Sequence, residues 1–154
     1  MSTRDLLAGV ALFAGASEGD LARVAAWAEE ARFAAGDHLF RAGERADRLY
    51  VLVEGRVALS VHAPGRGDLV VETLGPGDVV GVSWALPYER WDLDARALTD
   101  VAALAVDAAP LRSVMDAEDP LGRVVRLGIT GLLGERLHTT RLRLIDLYQE
   151  GVGA

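Results

Sequence analysis

The hydrophobic positions of this chain change their period twice. Near the start, apolar residues recur at helical spacing after Ser17, which forms a capping-box-like pair with Asp20. From Phe33 the period becomes two and glycines interrupt it at short intervals, until helical spacing returns near the end. We therefore predict a single domain, 1–154, with three parts: helices over 1–32, a β-barrel over 33–106 and helices over 107–150.

Short strand-like runs fill the middle of the chain. They include "RLYVLVE", "RVALSVH" and "DLVVETL", each separated from the next by turn residues. Many short strands joined by turns are typical of an antiparallel barrel or jelly roll. The predicted fold is mainly β with flanking helices: a double-stranded β-helix (jelly-roll) barrel, short N-terminal helices and a long C-terminal dimerisation helix.

The last segment predicts one long helix, with Asp119 as its cap, Pro120 at its first position and Gly151 at its end. Residues along it, all apolar except Thr140, follow spacings of three and four, as in a coiled-coil seam: Ile129, Leu133, Leu137, Thr140, Leu144 and Leu147. A small barrel leaves little core for so long a helix to cover, so we expect this seam to form a two-fold homodimer interface. Packing of the seam on its own barrel is the alternative.

Three glycines recur every three residues in the first half of that helix: Gly128, Gly131 and Gly134. Because glycine has no side chain, they would let this half of the helix lie close against the barrel, or bend there.

Composition narrows the classes of function. The chain has 154 residues and no cysteine, which excludes disulfides and thiolate metal sites. Its formal net charge of −7 disfavours a surface that binds nucleic acid. Its first 20 residues contain too few apolar positions for a signal peptide or a membrane span. We expect a cytoplasmic protein without a membrane partner.

Two segments carry a family resemblance, "FAAGDHLFRAGERADRLYVLVEGRVALSV" and "LGPGDVVG". They resemble the cyclic-nucleotide-binding domain of the catabolite-activator (Crp/Fnr-like) family, and the similarity extends over nearly the whole chain. The matching residues are Gly36, Phe40, Gly43, Asp47, Tyr50, Gly55, Gly75, Gly77, Asp78 and Gly81. All of them serve the barrel, so they indicate architecture and not ligand chemistry.

The resemblance implies a phosphate-binding cassette over residues 77–97. In nucleotide-binding members its helical turn begins Gly-Glu: the Glu accepts the ribose 2′-hydroxyl, and backbone N–H groups at the helix start hold the cyclic phosphate. Here the turn begins Gly81-Val82, which replaces the ribose acceptor with an apolar side chain. Ser83 supplies the nearby hydroxyl. We expect it to cap the turn, and a bond to a ligand is the alternative.

The family's second ligand group is an Arg at the start of the next strand, six residues before an Ala that matches Ala97. That position holds Trp91, and Arg90 lies one residue too early. Strand alternation points Trp91 inward and Arg90 outward, unless a bulge in the preceding loop restores Arg90. Losing both the ribose and the phosphate contacts would cost about 3–6 kcal/mol, on the order of a hundredfold to ten-thousandfold in affinity.

Other residues could also reach the pocket. The resemblance places Thr140 where the family's dimer helix touches adenine, although a tolerated polar residue in the seam is an equal alternative. Arg141 and His138 could reach toward the pocket mouth. Three aromatic residues share the cassette segment: Trp84, Tyr88 and Trp91. We favour the interpretation that they fill the pocket, with stacking on a planar ligand as the alternative.

These observations predict a stand-alone regulatory or sensor domain with a degenerate cassette, signalling through dimer or protein-partner contacts. We expect no enzymatic activity and no certain cofactor. The alternative is a functional sensor of cyclic AMP or cyclic GMP that uses Arg90 and the Gly81 turn. A cupin-like metalloenzyme is a third reading, but it needs converging histidines, and those of this chain are widely separated: His38, His62 and His138.

Direct DNA binding is not expected from this chain. In the resembled family a helix-turn-helix module follows the dimer helix. Only six residues follow Tyr148, whereas such a module needs at least two helices. The resemblance is therefore to the effector domain alone.

Overall fold

The computed structural model of the protein describes residues 2–87 and 89–152. The helices of this part are α1 (Thr3–Ala8), α2 (Glu18–Ala26), α3 (Ala108–Asp116) and α4 (Pro120–Val152), with 3-10 turns at Ala11–Phe13 and Ser83–Ala85. The strands are β1 (Ala28–Phe33), β2 (His38–Phe40), β3 (Arg48–Glu54), β4 (Val57–Ala63), β5 (Gly67–Leu74), β6 (Val79–Val80), β7 (Asp94–Ala97) and β8 (Val101–Asp107).

The described strands form two antiparallel sheets that face each other across the core. One has the order β1-β8-β3-β6 and the other β2-β7-β4-β5. The core lies between the sheets and continues under α3 and the start of α4. Neighbours that are distant in sequence, such as β1 with β8, give the jelly-roll topology. The predicted fold class is confirmed.

The boundary at residue 33 was wrong, because β1 begins at Ala28. Its six residues pair antiparallel with β8, from Ala28 opposite Val106 to Phe33 opposite Val101. The strand lies at a sheet edge, and its alanines are only partly buried while Glu29 and Glu30 are exposed. Since alanine and glutamate favour helices in isolation, the pattern extended α2 into a segment that tertiary pairing makes a strand.

The helix starts follow the predicted chemistry. The Ser17 hydroxyl accepts a hydrogen bond from the backbone N–H of Asp20 at 3.1 Å and caps α2. At the other end of the chain, the Asp119 carboxylate accepts from the N–H of Leu121 at 3.0 Å, one residue beyond Pro120. Arg23 of α2 donates to both Asp119 oxygens, at 3.1 and 2.9 Å, and so ties α2 to the start of α4.

Helix α4 divides into a proximal half, residues 120–132, and a distal half, residues 133–150. The proximal half packs closely on the domain. An added Cβ at Gly128 would overlap the backbone of Leu12, whereas at Gly131 or Gly134 it would meet no described atom within 4 Å. The close approach expected of the three glycines therefore holds for Gly128 alone.

The seam of α4 also divides between these halves. Ile129 is only 6% exposed in the single chain and belongs to the chain's own core, so its assignment to a dimer interface was wrong. The remaining leucines of the seam lie exposed on the distal half: Leu133, Leu137, Leu144 and Leu147. Within residues 2–87 and 89–152, no helix is both long enough and apolar enough to cross a bilayer.

Candidate functional site

The predicted cassette lies between β6 and β7, where the chain leaves one sheet, forms a 3-10 turn and enters the other. Gly81 opens this segment with φ of 97°, a conformation that side chains rarely adopt. Val82 follows and is buried, so an apolar side chain occupies the position of the ribose acceptor. The chain has the glycine turn, with a valine at the position where the resemblance implies a carboxylate.

The Trp91 indole packs directly on the cassette turn. The side chain is 4% exposed and stacks on Phe40, with ring centroids 3.7 Å apart and planes within 9°. A Cβ added at Gly81 would lie 2.6 Å from two atoms of the indole ring, so glycine is required at this contact as well as in the turn. Trp91 therefore points inward, as alternation predicts, and occupies the space beside the turn.

Arg90 points the other way. Its guanidinium donates to the carbonyl of Gly43 at 2.8 Å on an exposed surface, and its backbone forms an isolated antiparallel bridge with Arg45. The preceding residue, Glu89, has φ of 47°, so the loop is irregular. This irregularity does not turn Arg90 into the barrel.

Ser83 does not cap the cassette turn, which corrects the expectation. The 3-10 turn at Ser83–Ala85 has no side-chain cap bond, and the Ser83 hydroxyl donates instead to Asp92 at 3.1 Å. The turn is so short that its backbone N–H groups form their hydrogen bonds locally. The Ser83 hydroxyl is therefore free to bond across the loop. The Ser83–Asp92 bond joins the two ends of the cassette loop.

Trp84 belongs to the core. Its side chain is fully buried, and its indole N–H donates to the carbonyl of Gly81 at 3.0 Å. Arg112 of α3 braces the same loop from outside: it donates to the Trp84 carbonyl at 3.3 Å and pairs with Glu89 at 3.5 Å. The third aromatic residue of the segment, Tyr88, lies outside the described residues.

The structure brings together Gly81, Val82, Ser83, Trp84 and Trp91, but not the other predicted site residues. Thr140 lies on the distal half of α4, and its hydroxyl donates to the Arg136 carbonyl of its own helix at 2.8 Å. Arg141 and His138 are exposed on the same helix.

Sequence reasoning missed Arg136, whose guanidinium reaches from α4 to the barrel. It donates to the Val79 carbonyl of β6 at 2.6 Å and lies 3.7 Å from a carboxylate oxygen of Glu72 on β5. Its side chain is 16% exposed. Burial lowers the pKa of the Arg136 guanidinium, opposed by the negative charges of Glu72, Asp92 and Asp78.

A signal for Arg136 existed in the sequence. It precedes Thr140 by four residues, so both lie on one face of the helix one turn apart. Arg136 therefore lies on the same helix face as Thr140, the face predicted to meet the pocket. Because arginines on long helices are usually solvated, helical spacing alone does not distinguish Arg136 from Thr140 or Arg141 as a residue that contacts the barrel.

The cassette region carries more negative than positive charge. Glu72 lies 3.7 Å from the Arg136 guanidinium, and the negative charges of Asp92 and Asp78 also act on it. Asp94 accepts a hydrogen bond from the backbone N–H of Ala42 at 2.7 Å. This arrangement disfavours an anionic ligand. Among the described residues, no three or more His, Asp or Glu side chains group so that they could hold a metal ion.

Known proteins with similar sequences belong to a family that has this fold. Residues 30–118 match the family Cyclic nucleotide-binding domain, and the chain belongs to this family. It is 29% identical over 145 residues to the CRP-like cAMP-activated global transcriptional regulator of Mycobacterium tuberculosis. That alignment covers 93% of this chain and 62% of the regulator, so the chain spans about three fifths of the length of this curated relative.

Two crystal structures extend the comparison. A protein of Geobacter metallireducens GS-15, assigned as cyclic nucleotide-binding, superposes with a TM-score of 0.79 at 28% identity, covering 90% of this chain and 100% of that one. The N-terminal domain of a transcriptional regulator from Streptomyces coelicolor A3(2) superposes with a TM-score of 0.69 at 27% identity, covering 85% and 94%. Both are similar to this chain over most of its length.

Proposed function

We propose that this protein is a regulatory domain whose phosphate cassette no longer holds a cyclic nucleotide in the family's usual way. The observation that carries the proposal is the Trp91 indole stacked on Phe40 and packed against Gly81. A ring in that space leaves no room beside the turn for a phosphate and a guanidinium. Its burial also contributes to the core, so opening the site would expose apolar surface.

Two further features support a closed cassette, that is, a cassette over residues 77–97 that has no room for a cyclic nucleotide. Val82 offers no hydrogen-bond acceptor for a ribose hydroxyl, and Arg90 is bonded to Gly43 outside the barrel. Acidic residues around Arg136 oppose the approach of an anion. No enzymatic step is assigned to this site, and no cofactor is assigned to the domain.

We further propose that the domain acts in the cytoplasm through contacts with a second copy of the chain or with another protein. The distal half of α4 supports this role because its leucines lie exposed along one helix. A contiguous apolar surface of this kind usually marks an interaction site. A symmetric pair of such helices would bury these side chains against each other in the manner of a coiled coil. In residues 120–132, by contrast, Leu121, Val125 and Ile129 are buried within the chain itself.

Calorimetric titration with cyclic AMP and with cyclic GMP tests the closed cassette. We expect no binding of either nucleotide at micromolar concentration, because the ribose and phosphate contacts are both missing. The matched variants are Arg90→Ala and Arg96→Ala, which each remove one exposed arginine from this part of the barrel. Neither should change the titration.

The second candidate is a cyclic-nucleotide sensor, favoured by the similarity to a regulator that is named as cAMP-activated. It predicts the opposite result. Micromolar binding that is lost in Arg90→Ala but kept in Arg96→Ala would overturn the closed cassette. That outcome would mean that the loop rearranges to bring Arg90 inward.

A further inference from the structure

A groove crosses the sheet β1-β8-β3-β6 outside the cassette. Two adjoining cavities form it, one of about 320 Å³ and the other of about 120 Å³. Three residues line both cavities: Arg32 on β1, Ala102 on β8 and Glu54 on β3. None of the residues that line the groove belongs to the cassette over residues 77–97. The larger cavity alone is within the range of volumes that small ligands occupy.

The register of the sheet places opposite charges on either side of an alanine. Arg32 lies opposite Ala102 across one strand pair, and Glu54 lies opposite Ala102 across the other. Residues directly opposite each other in an antiparallel sheet project from the same face. That face is the outer one, because Phe33, the neighbour of Arg32 in β1, packs edge-on against the core residue Tyr50. The two charged residues therefore stand about 10 Å apart, or two strand spacings, with only an alanine methyl group between them.

The two charges are available to a ligand. Both side chains are exposed, and within residues 2–87 and 89–152 neither Arg32 nor Glu54 forms an ion pair. Asp100 lines the larger cavity and Glu30 the smaller one. A ligand with only negative charge would therefore meet several carboxylates, and one with only positive charge would meet the guanidinium. A ligand that carries one group of each sign matches both sides of the groove.

Hydrogen bonds between loops fix the end wall of the larger cavity. The Asp100 carboxylate accepts from the N–H of Ala35 at 3.0 Å, and the Thr99 hydroxyl accepts from the N–H of Arg56 at 3.1 Å. Gly55, with φ of 92°, lies so close to the Asp100 carbonyl that an added Cβ would overlap it. A wall held in this way loses little conformational freedom when a ligand binds, which favours affinity.

The smaller cavity is an apolar recess at the other end of the groove. Leu6 of α1, Val53 and Leu104 line it. Leu104 is buried, but Leu6 and Val53 are only half-buried. An aliphatic group placed there would remove apolar surface from water and so contribute to binding.

We propose that this groove binds a free α-amino acid with an aliphatic side chain. Arg32 binds the carboxylate, Glu54 accepts hydrogen bonds from the ammonium group, and the aliphatic side chain enters the recess beside Leu6. The proposal goes beyond the proposed function, because it gives the domain a small ligand at a site outside the cassette. It does not depend on whether the cassette is closed.

An NMR titration of the isotope-labelled full chain with L-leucine tests the site. We expect a dissociation constant on the order of 1 mM or below, because two charge-assisted contacts form together. Chemical shifts should change for backbone amides in residues 30–34, 53–55 and 100–104. Isocaproate lacks the ammonium group of leucine, and isoamylamine lacks its carboxylate. Each should bind at least about tenfold more weakly than leucine at the same pH and ionic strength.

Matched variants test the role of each charge. Arg32→Gln and Glu54→Gln should each weaken leucine binding about tenfold, because each removes one charged partner. Arg56→Gln and Glu29→Gln change an exposed arginine and an exposed glutamate that do not line the groove, and should change the affinity less than about twofold. Ala102→Val adds bulk between the two charges. It should abolish binding while the circular dichroism spectrum stays that of wild type, since valine is well tolerated in strands.

The proposal is overturned if leucine, at roughly ten times the expected dissociation constant, shifts none of these amides. It is also overturned if isocaproate and isoamylamine bind as tightly as leucine, or if the two charge variants match their controls. No nucleotide is present in these titrations. A failure to bind leucine would therefore leave the closed cassette standing, and micromolar nucleotide binding would leave the leucine result unchanged.

Discussion

The two halves of α4 share one helix and one apolar period but meet different surroundings. In the proximal half, Leu121, Val125 and Ile129 are buried in the chain's own core. In the distal half, Leu137 and Leu144 are 52% and 61% exposed. A helix rises about 1.5 Å per residue, so these 18 residues extend about 27 Å along a largely uncovered surface. The comparison shows that one continuous seam lies partly in the chain's own core and partly on an exposed surface.

The difference arises from the barrel and not from the helix. The 3-10 turn at Ala11–Phe13 and α3 cover the proximal half, and Gly122 and Gly128 let their backbones approach it. Beyond Arg136, packing on the barrel ends. Apolar residues in the distal half remain largely exposed in the single chain, so under the proposed association a partner would supply the burial that they lack.

Matched leucine truncations should separate the halves most strongly. Leu121→Ala removes a fully buried side chain and should lower the free energy of unfolding by about 2–5 kcal/mol, whatever the protein concentration. Leu144→Ala should have little effect in dilute protein and a growing effect as concentration rises, because its contacts form only on association. Urea unfolding at two protein concentrations measures both.

That prediction fails if Leu144→Ala is equally destabilising at both concentrations. The leucine would then be supported within one chain, and the distal half would need another explanation than dimerisation. Sedimentation velocity of the wild-type chain, run over the same concentrations, provides the control for association itself.

The same comparison shows how far the sequence could go. Period-two alternation and the spacing of turn glycines predicted the barrel, and the alternation around Trp91 predicted an inward indole, because both depend on local geometry. The seam predicted a long helix but placed Ile129 in the wrong environment. Whether an apolar residue faces its own core or a partner depends on where the barrel ends, and helical spacing carries no such information.

The site was harder to predict than the fold for a related reason. Ser83 bonds to Asp92 across the loop, and Arg136 bonds to Val79, 57 residues away in sequence. Such partners are set by tertiary contacts that no short pattern encodes. The β1 strand was missed on the same grounds, because its pairing with β8 outweighs the helical preference of its alanines and glutamates.

Glycine substitutions offer a sharper test of the boundary between the halves. Gly128→Ala would place a Cβ against the backbone of Leu12 and should destabilise the protein by about 1–3 kcal/mol, since neither backbone can yield easily. Gly134→Ala meets open space and should stabilise the helix by about 0.5–1 kcal/mol. Opposite signs six residues apart, measured by thermal unfolding, would locate the end of the packed surface. Two stabilising substitutions would mean that the proximal half does not lie against the 3-10 turn.

The smallest expected effect is on the pH dependence of stability. It arises from Asp119, which anchors the start of the proximal half. Hydrogen bonds from Arg23, and then from the N–H of Leu121, hold the pKa of the Asp119 carboxyl below its usual value of 3.8. A carboxyl whose pKa is lower in the folded than in the unfolded state contributes stability above the unfolded value and loses it as pH falls through the folded value. Asp119→Asn keeps a capping oxygen but cannot ionise.

The melting temperature of wild type should therefore exceed that of Asp119→Asn at pH 6, and the difference should shrink as pH falls below 3.8. Arg23→Gln removes the partner instead of the carboxylate. Its melting temperature should also lie below that of wild type at pH 6, and this deficit in melting temperature should shrink over the same pH range because the protonated acid no longer attracts a guanidinium. If both deficits stayed constant with pH, the contact would act through packing and neutral hydrogen bonds, and the start of α4 would not depend on this charge.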